Sequence, residues 1–498
     1  MTAGVRRQMA HGAAWMMLFK LSERMLGLLS TLVLVRVLSP QDFGVVAMAM
    51  SFIAVAELVS AFGFDLALIH KRDATASHFN VAWTCNVLMG TAIMLLMLLA
   101  AQPIADFYGR PEVFWVVVAL AFGPLVGGAE NIGVVAFRRE LDFRKEFRFL
   151  LTKKVLAVLI TVPLALWLRS YWALIAGMLF SRAAGTLISY LLHPFRPRFA
   201  LGHLGELMVF SKWILVNNVV TVFKERTTDF VIGASQGPHA LGLFNVANEF
   251  ANLPHTELAA PVNRALLPGF ASIQHDRAAG EQAFLAAIRL LAFIVVPAAA
   301  IIHVVAPYLV PVLLGPKWLD ATALMQVLAL AGGTVAMHSP LCALLIAFGH
   351  PDRVALSHAF FVAVLFAALF ALMPLWGVLG AAAAVLCAAV ASTPMYLYQV
   401  RRRVGIRTRT ILLAVARPLA AATVMVLAMR ALAFGSSGPV PGFIEPLMRL
   451  LLAVTVGLSI HAGVVFTLWI LAGRPAGAER QVLDRLAALA AARRRTAP

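Results

Sequence analysis

Charge is scarce in this sequence, and negative charge is the scarcer sign. Only 13% of the 498 residues are charged, with 23 Asp and Glu against 41 Lys and Arg. A soluble chain carries about 25%, so there is too little charge here to coat a soluble protein of this length. Cysteine is nearly absent. Cys85, Cys342 and Cys387 are an odd number, lie in or beside apolar runs, and have no metal-ligand spacing. A disulfide framework and a metal site are excluded, and small buried side chains are expected instead. No GxxxxGK[ST] occurs, which excludes an internal ATPase. No cofactor is expected, and the chain does not read as an enzyme.

Apolar side chains fill the space that charge leaves. They make up 61% of the residues, and the mean hydropathy is +0.87. A bilayer solvates such surfaces directly, so the chain reads as an all-α, polytopic membrane protein. A helix of roughly 20 residues crosses the hydrocarbon. Fourteen apolar spans are predicted: 14–38, 43–66, 81–104, 114–137, 150–168, 172–192, 210–233, 241–268, 284–306, 322–348, 355–374, 376–399, 410–432 and 447–472. Lys20, Glu23 and Arg24 interrupt the first, so it is expected to remain as a helix, not to be cleaved as a signal peptide.

The formal net charge of +18 is unevenly placed. With fourteen spans, Lys and Arg cluster in the loops on the side of the termini, and the opposite side holds only Arg36, Arg110, Arg169 and Lys317. That asymmetry predicts both termini in the cytoplasm. It also accounts for the basic charge without nucleic acid, since no soluble domain is present to bind one. All nine tryptophans fall near predicted span ends, as the headgroup boundary favours. The tail 474–498 spaces Val482, Leu483, Leu486 and Leu489 along one face with arginines elsewhere, which predicts a helix on an anionic membrane surface.

Two connectors share a pattern. "LSPQDFG" at 38–44 and "QGPHALG" at 236–242 keep proline and glycine at one spacing. Ser39, Pro40 and Asp42 predict a capping box that starts a helix straight after a turn. Gly237 and Pro238 take the matching places, and Gly44 and Gly242 are placed for close backbone approach. "DFYGRPEVF" at 106–114 and "VLLGPKWLD" at 312–320 form a second pair, and Gly127-Gly128 and Gly332-Gly333 a third. The ordered series predicts a duplication: a six-helix lobe over 1–195, a second over 196–405, two further helices over 406–473 and the tail. Two such pseudo-symmetric lobes would have a substrate pathway between them.

The stretch "RVLSPQDFGVVAMAMSFIAVAELVSAFGFDLALIH", with "TTDFVIGASQGPHALGLFNVA" in the second half, resembles the polysaccharide and oligosaccharide flippases of the multidrug/oligosaccharidyl-lipid/polysaccharide exporter superfamily. The resemblance covers both lobes, and the last two spans match only in apolar character. It implies a fourteen-helix, V-shaped transporter of a bacterial inner membrane. Its cargo would be a polyprenyl-diphosphate-linked glycan carried from the cytoplasmic to the periplasmic leaflet. Membrane lipids and glycan polymerase machinery would be its other partners. The family has no short catalytic signature.

Ionisable groups inside spans cost about 2.5–3.5 kcal/mol on insertion scales, so they are expected to face a cavity or a partner. In the first span Lys20, Glu23, Arg24, Gly27 and Thr31 form one polar stripe. In the seventh, Asn217, Thr221, Lys224 and Thr228 do the same, flanked by Glu225, Arg226 and Asp229. The eighth adds Asn245, Asn248, Glu249 and Asn252, and Arg182 and Arg264 are isolated cations. Lys20, Arg24, Arg182, Asn217, Lys224, Arg226, Asn248, Asn252 and Arg264 are the candidate substrate contacts, because arginine grips phosphate through two N–H groups and lysine acts as a point charge. Glu23, Glu225, Asp229 and Glu249 are candidates for ion coupling. The competing reading makes the Lys-Glu-Arg groups self-neutralising structural pairs or snorkelling side chains. Isolated His303, His338 and His358 are expected to be core residues. A multidrug antiporter of the same superfamily would need a site dominated by carboxylates, and a peptidoglycan-lipid flippase would differ mainly in headgroup. Both stay open as alternatives.

Overall fold

The computed structural model describes residues 3–60, 74–140, 142–202, 204–260, 276–435 and 443–474, with positions 64, 68, 262, 263, 266, 269, 270 and 273 between them. For 3–14, 17, 59–60 and 204–220 it describes the backbone alone. The amphipathic tail predicted for 474–498 lies outside the described residues beyond Arg474.

Every regular element is helical among the described residues. In order they are α1 (Ala3–Val37), α2 (Pro40–Ala56), α3 (Ala76–Tyr108), α4 (Pro111–Gly128), α5 (Phe143–Leu168) and α6 (Trp172–Leu192). Leu204–Ala251 breaks at Gly237 (φ 81°, ψ −177°), giving α7 (204–236) and α8 (238–251). Then come α9 (Arg277–Leu313) and α10 (Ala321–Ala347). Pro351–Arg403 breaks at Gly377 (φ 55°, ψ −135°) into α11 (351–376) and α12 (378–403). The last two are α13 (Thr408–Ala431) and α14 (Ile444–Leu471). Nine of the described helices are long and apolar enough to cross a membrane, with Pro351–Arg403 counted once. Leu99, Trp167, Leu191 and Ile444 are at least 75% exposed, a lipid-facing surface that water would not tolerate at this density.

Several ends differ from the predicted spans for local reasons. α2 stops at Ala56 and continues as a single 3₁₀ turn, Glu57–Ser60. α4 stops at its glycine pair, and a short helix, Val135–Arg139, follows. α8 gives way to a π-turn, Pro254–Ala259, where proline cannot donate the ladder hydrogen bond. α5 begins at Phe143, seven residues before the predicted span. Trp318, expected at the membrane boundary, is fully buried in the turn Pro316–Trp318 ahead of α10.

Contacts divide the chain into two compact units, Met1–Gly242 and Leu243–Pro498. In the first, α3 packs on α4, α5 on α6, and α1 on α5. In the second, α9 packs on α10, α13 and α14, and α10 on Pro351–Arg403. The glycine pairs act at these seams. A methyl at Gly128 would meet the Asn86 carbonyl of α3 at 2.4 Å, and one at Gly333 would meet Ala299 of α9 at 2.7 Å.

The connectors form as their residues dictate. The Ser39 and Asp42 side chains accept from each other's backbone N–H at 3.3 and 2.9 Å respectively, completing the capping box. Asp42 Oδ1 also accepts from the Tyr171 N–H at 3.0 Å, next to the start of α6. The two connectors then pack on each other inside the first unit. A methyl at Gly44 would lie 1.7 Å from the Pro238 carbonyl oxygen, and one at Gly242 would lie 1.7 Å from that of Pro40. Each glycine thus admits the backbone of the other connector.

After α6 the chain runs extended and is tied to the first unit. Asn131, fully buried, donates to the carbonyls of Phe195 (2.8 Å) and His193 (3.4 Å). Asn80 and Thr84, one turn apart on α3, accept from the N–H groups of Arg198 and Ala200 at 2.9 and 3.0 Å. His193 Nδ1 accepts from the Phe195 N–H at 3.1 Å. Burial, helped by Lys145 and Arg196 against an opposing push from Glu140, holds the His193 pKa below 6.5. A histidine with a lowered folded pKa contributes full stability above its unfolded value of about 6.5 and loses it as pH falls from there through the lower folded value. The protection factor of the Phe195 amide, which allows for the slower intrinsic exchange at lower pH, should therefore fall on acidification from pH 7.5 to 5.5, and His193→Gln should flatten that response. An unchanged protection factor would show that the strap does not depend on the imidazole.

Candidate functional site

On α1 the Lys20–Glu23 pair forms, as the reading of these residues as structural ion pairs expects. Lys20 Nζ donates to Glu23 Oε2 at 2.6 Å, with both side chains more than a third exposed. Arg24 is half-buried on the next residue. One group was not anticipated. A methyl at Gly27 would lie 3.8 Å from Lys154 Nζ, so the α5 ammonium rests against α1 one turn from Glu23 and Arg24. A span starting at 150 puts Lys153 and Lys154 only at its beginning. The earlier start, at the N-cap Asp142, puts both well inside the helix, and that cap was the available signal.

On α7, Arg226 Nη1 pairs with Asp229 Oδ2 at 3.1 Å. Asp229 is only 4% exposed, and Ser51 Oγ of α2 lies 3.5 Å from the same oxygen. The Phe52 and Phe230 rings meet edge to face at 4.8 Å beside it. Asp229 is thereby placed at a helix seam. Lys224 is half-buried and Glu225 exposed. The side chain of Asn217 lies outside the described residues, and so does Arg264. Just beyond the end of α8, Asn252 Nδ2 donates to the Asn248 carbonyl at 3.0 Å and to its Oδ1 at 2.6 Å. A methyl at Gly332 would meet Asn252 Oδ1 at 2.6 Å, so this pair is packed against α10. Glu249 is exposed.

Arg182 is the middle residue of the 21-residue α6. Its Nη2 pairs with Glu57 Oε1 at 2.7 Å. Nearby, Lys153 Nζ pairs with Glu130 Oε2 at 2.9 Å. Arg182 and Lys153 line one polar cavity of about 270 Å³ inside the first unit, together with Asn86, Glu130 and Asn131. The second unit holds a larger, apolar cavity of about 450 Å³ walled by residues of α9, α10, α12 and α13. His303 and His338 stand on its wall, where His303 Nδ1 meets the Gln326 carbonyl and His338 Nε2 meets Thr393 Oγ1, each at 2.9 Å. No cluster of three or more metal-ligating side chains occurs among the described residues.

The first unit thus sets two ion pairs about a polar cavity, and the second encloses an apolar one. Known proteins with related chains serve polysaccharide biosynthesis, and one of them is a transport protein. The chain is 25% identical to the succinoglycan biosynthesis transport protein ExoT of Rhizobium meliloti (strain 1021) over 331 residues, which is 66% of this chain and 67% of that one. It is 24% identical to the lipopolysaccharide biosynthesis protein WzxC of Escherichia coli (strain K12), covering 70% of this chain and 72% of that one. Among solved structures, the lipid II flippase MurJ in an inward closed conformation superposes with a TM-score of 0.72 at 13% identity, covering 91% of this chain and 99% of that one. An inward-facing multidrug resistance transporter of the MATE family gives a TM-score of 0.62 at 15% identity, covering 77% and 94%. At these identities the structural likeness is one of fold, that of a multi-pass helical membrane protein. Residues 33–323 match the family described as polysaccharide biosynthesis protein, and the chain belongs to that family.

Proposed function

We propose that this protein is a flippase. It moves polyprenyl-diphosphate-linked oligosaccharide or polysaccharide repeat units from the cytoplasmic to the periplasmic leaflet of a bacterial inner membrane by alternating access. The observation that carries the reading is the cationic equipment on α1, α5 and α7 in a chain of the polysaccharide biosynthesis family. Lys20, Arg24 and Lys154 stand on or against α1, and Lys224 and Arg226 on α7. Such groups make an anionic diphosphate tolerable at membrane depth. Arg182, Arg264 and the asparagines 217, 248 and 252 add polar contacts in this scheme. Glu23, Glu225, Asp229 and Glu249 keep the empty pathway near neutrality and are the candidates for a coupling ion. The apolar cavity of the second unit has the chemistry to shelter an isoprenoid segment. Both termini are assigned to the cytoplasm on the Lys and Arg asymmetry. The interior-negative potential favours export of each net negative charge by about 2.3 kcal/mol per 100 mV, so no covalent step is required. Glycan polymerase machinery on the outer face is the partner this role calls for.

Deleting the gene should make a lipid-linked glycan accumulate in the cytoplasmic leaflet, and extraction and mass analysis of the lipid fraction identifies it. Wild-type protein should clear the accumulation. Arg24→Ala should express normally and clear none of it, and Arg24→Lys only part. Normal surface glycan in the deletion strain, with no lipid-linked intermediate inside, would refute the flippase reading.

A further inference from the structure

The polar cavity of the first unit is built by removing side chains. Arg182 crosses two glycines of α4. A methyl at Gly123 would lie 3.3 Å from its Cδ and Nε, and one at Gly127 would lie 3.6 Å from its Nη1. Lys153 crosses Gly185 of α6, where a methyl would come within 2.7 Å of its Nζ. Three glycines on two helices therefore clear the way for two long cations to reach one space. Each cation then meets an acid, Arg182 with Glu57 at 2.7 Å and Lys153 with Glu130 at 2.9 Å. All four side chains keep between 24% and 34% of their surface open.

The charge arithmetic decides what can bind. Two cations and two anions leave no net charge, so a phosphate would have to displace a carboxylate, and a metal ion would have to displace a guanidinium or an ammonium. Either exchange exposes a charge at membrane depth at high cost. A neutral ligand with hydroxyl groups displaces nothing. A guanidinium has five N–H donors, an ammonium three, and each carboxylate several lone-pair sites, so ion pairing leaves donors and acceptors over. The Asn86 amide supplies one more of each. Asn131 does not, because Gly133 N–H and the carbonyls of His193 and Phe195 occupy it. At about 30 Å³ per water, the cavity of about 270 Å³ holds about nine waters, the space of one sugar ring.

We infer that this cavity is a sugar subsite that takes one neutral pyranose ring of the cargo through its hydroxyls. Asn86, Glu130, Lys153 and Arg182 are its contacts, and Glu57 fixes Arg182. The inference rests on the reading of the cargo as a lipid-linked glycan. It separates sugar recognition from the diphosphate contacts assigned to Arg24 and Arg226.

The test uses the purified full chain in lipid nanodiscs and titration calorimetry with two probes. One is the free oligosaccharide, released by mild acid from the lipid-linked glycan that accumulates in the deletion strain. The other is polyprenyl diphosphate without sugar. Wild-type protein should bind both. Asn86→Ala removes a hydrogen-bonding partner, and Gly127→Leu fills the space. Each should weaken the oligosaccharide about tenfold and leave the sugar-free lipid unchanged. Thermal unfolding checks both variants, and if Gly127→Leu is not folded, Asn86→Ala decides. Unaltered oligosaccharide binding in a folded variant overturns the subsite, as does an equal loss for both probes. Wild-type binding of the lipid alone overturns the subsite and spares the flippase reading. Binding of neither probe overturns both.

Discussion

Gly44→Ala is expected to destabilise the protein by about 3 kcal/mol or more. The added carbon would lie 1.7 Å from the Pro238 carbonyl oxygen, where no real side-chain carbon approaches within 3.0 Å. The obstacle is backbone and cannot rotate aside, so the seam between the two connectors has to open. Gly242→Ala meets the Pro40 carbonyl at the same 1.7 Å and should cost as much. Because both changes force apart one seam, the double variant should cost less than the sum of the two. Gly463→Ala is the control. Nothing lies within 4 Å of its added carbon, and alanine is the better helix former by about 1 kcal/mol. Melting curves in detergent, with surface glycan as the second readout, compare the three. A Gly44→Ala protein that melts with the wild type would mean that the connectors do not hold this contact.

The second large effect is at the buried acid of α7. Arg226→Ala should cost about 3 kcal/mol, because it withdraws the guanidinium from a carboxylate that is only 4% exposed. Arg226→Ala combined with Asp229→Asn should recover most of that loss, since the charge that needed compensation is gone. Export separates the two roles of the arginine. If Arg226 contacts cargo, the stable double variant still fails to clear the lipid-linked glycan, whereas Asp229→Asn alone clears it. If the double variant both melts and exports like the wild type, Arg226 serves only to neutralise Asp229.

Much of the fold was legible because a bilayer simplifies the code. Long apolar runs and Pro-Gly turns give the order of the long helices but not their ends: α1 starts eleven residues before its predicted span, and α2 stops ten residues short of the end of its own. The capping box at Ser39 and Asp42 follows from a short local rule and forms as read. What escaped was the partner of each local feature. Gly44 and Gly242 announce that something comes close, but only the fold reveals that each receives the other connector. The site was legible in composition and not in grouping. Lys20 and Glu23 pair within one helix at a spacing the sequence displays. Arg182 and Glu57 are 125 positions apart, and no periodicity connects them. Lys153 and Lys154 stood at the beginning of the predicted span, and the helix starts seven residues earlier, because amphipathic ends such as "FRKEFRF" lack the apolar run that marks a span. The glycines that admit Arg182 and Lys153 carry no signal of their own in one sequence.

The central arginine of α6 has a consequence for biogenesis. Of the nine apolar helices, α6 has the lowest mean hydropathy, 1.4, and it carries Arg182 at its midpoint. An arginine there opposes entry into the bilayer by about 2.5–3.5 kcal/mol. Its acid partner is made first, since Glu57 leaves the ribosome 125 residues earlier. The nascent chain thus has the counter-ion waiting in the membrane before the unfavourable helix arrives. Loss of Glu57 would then act during synthesis, as a fraction of chains in which α6 fails to enter and every later loop is delivered to the wrong side.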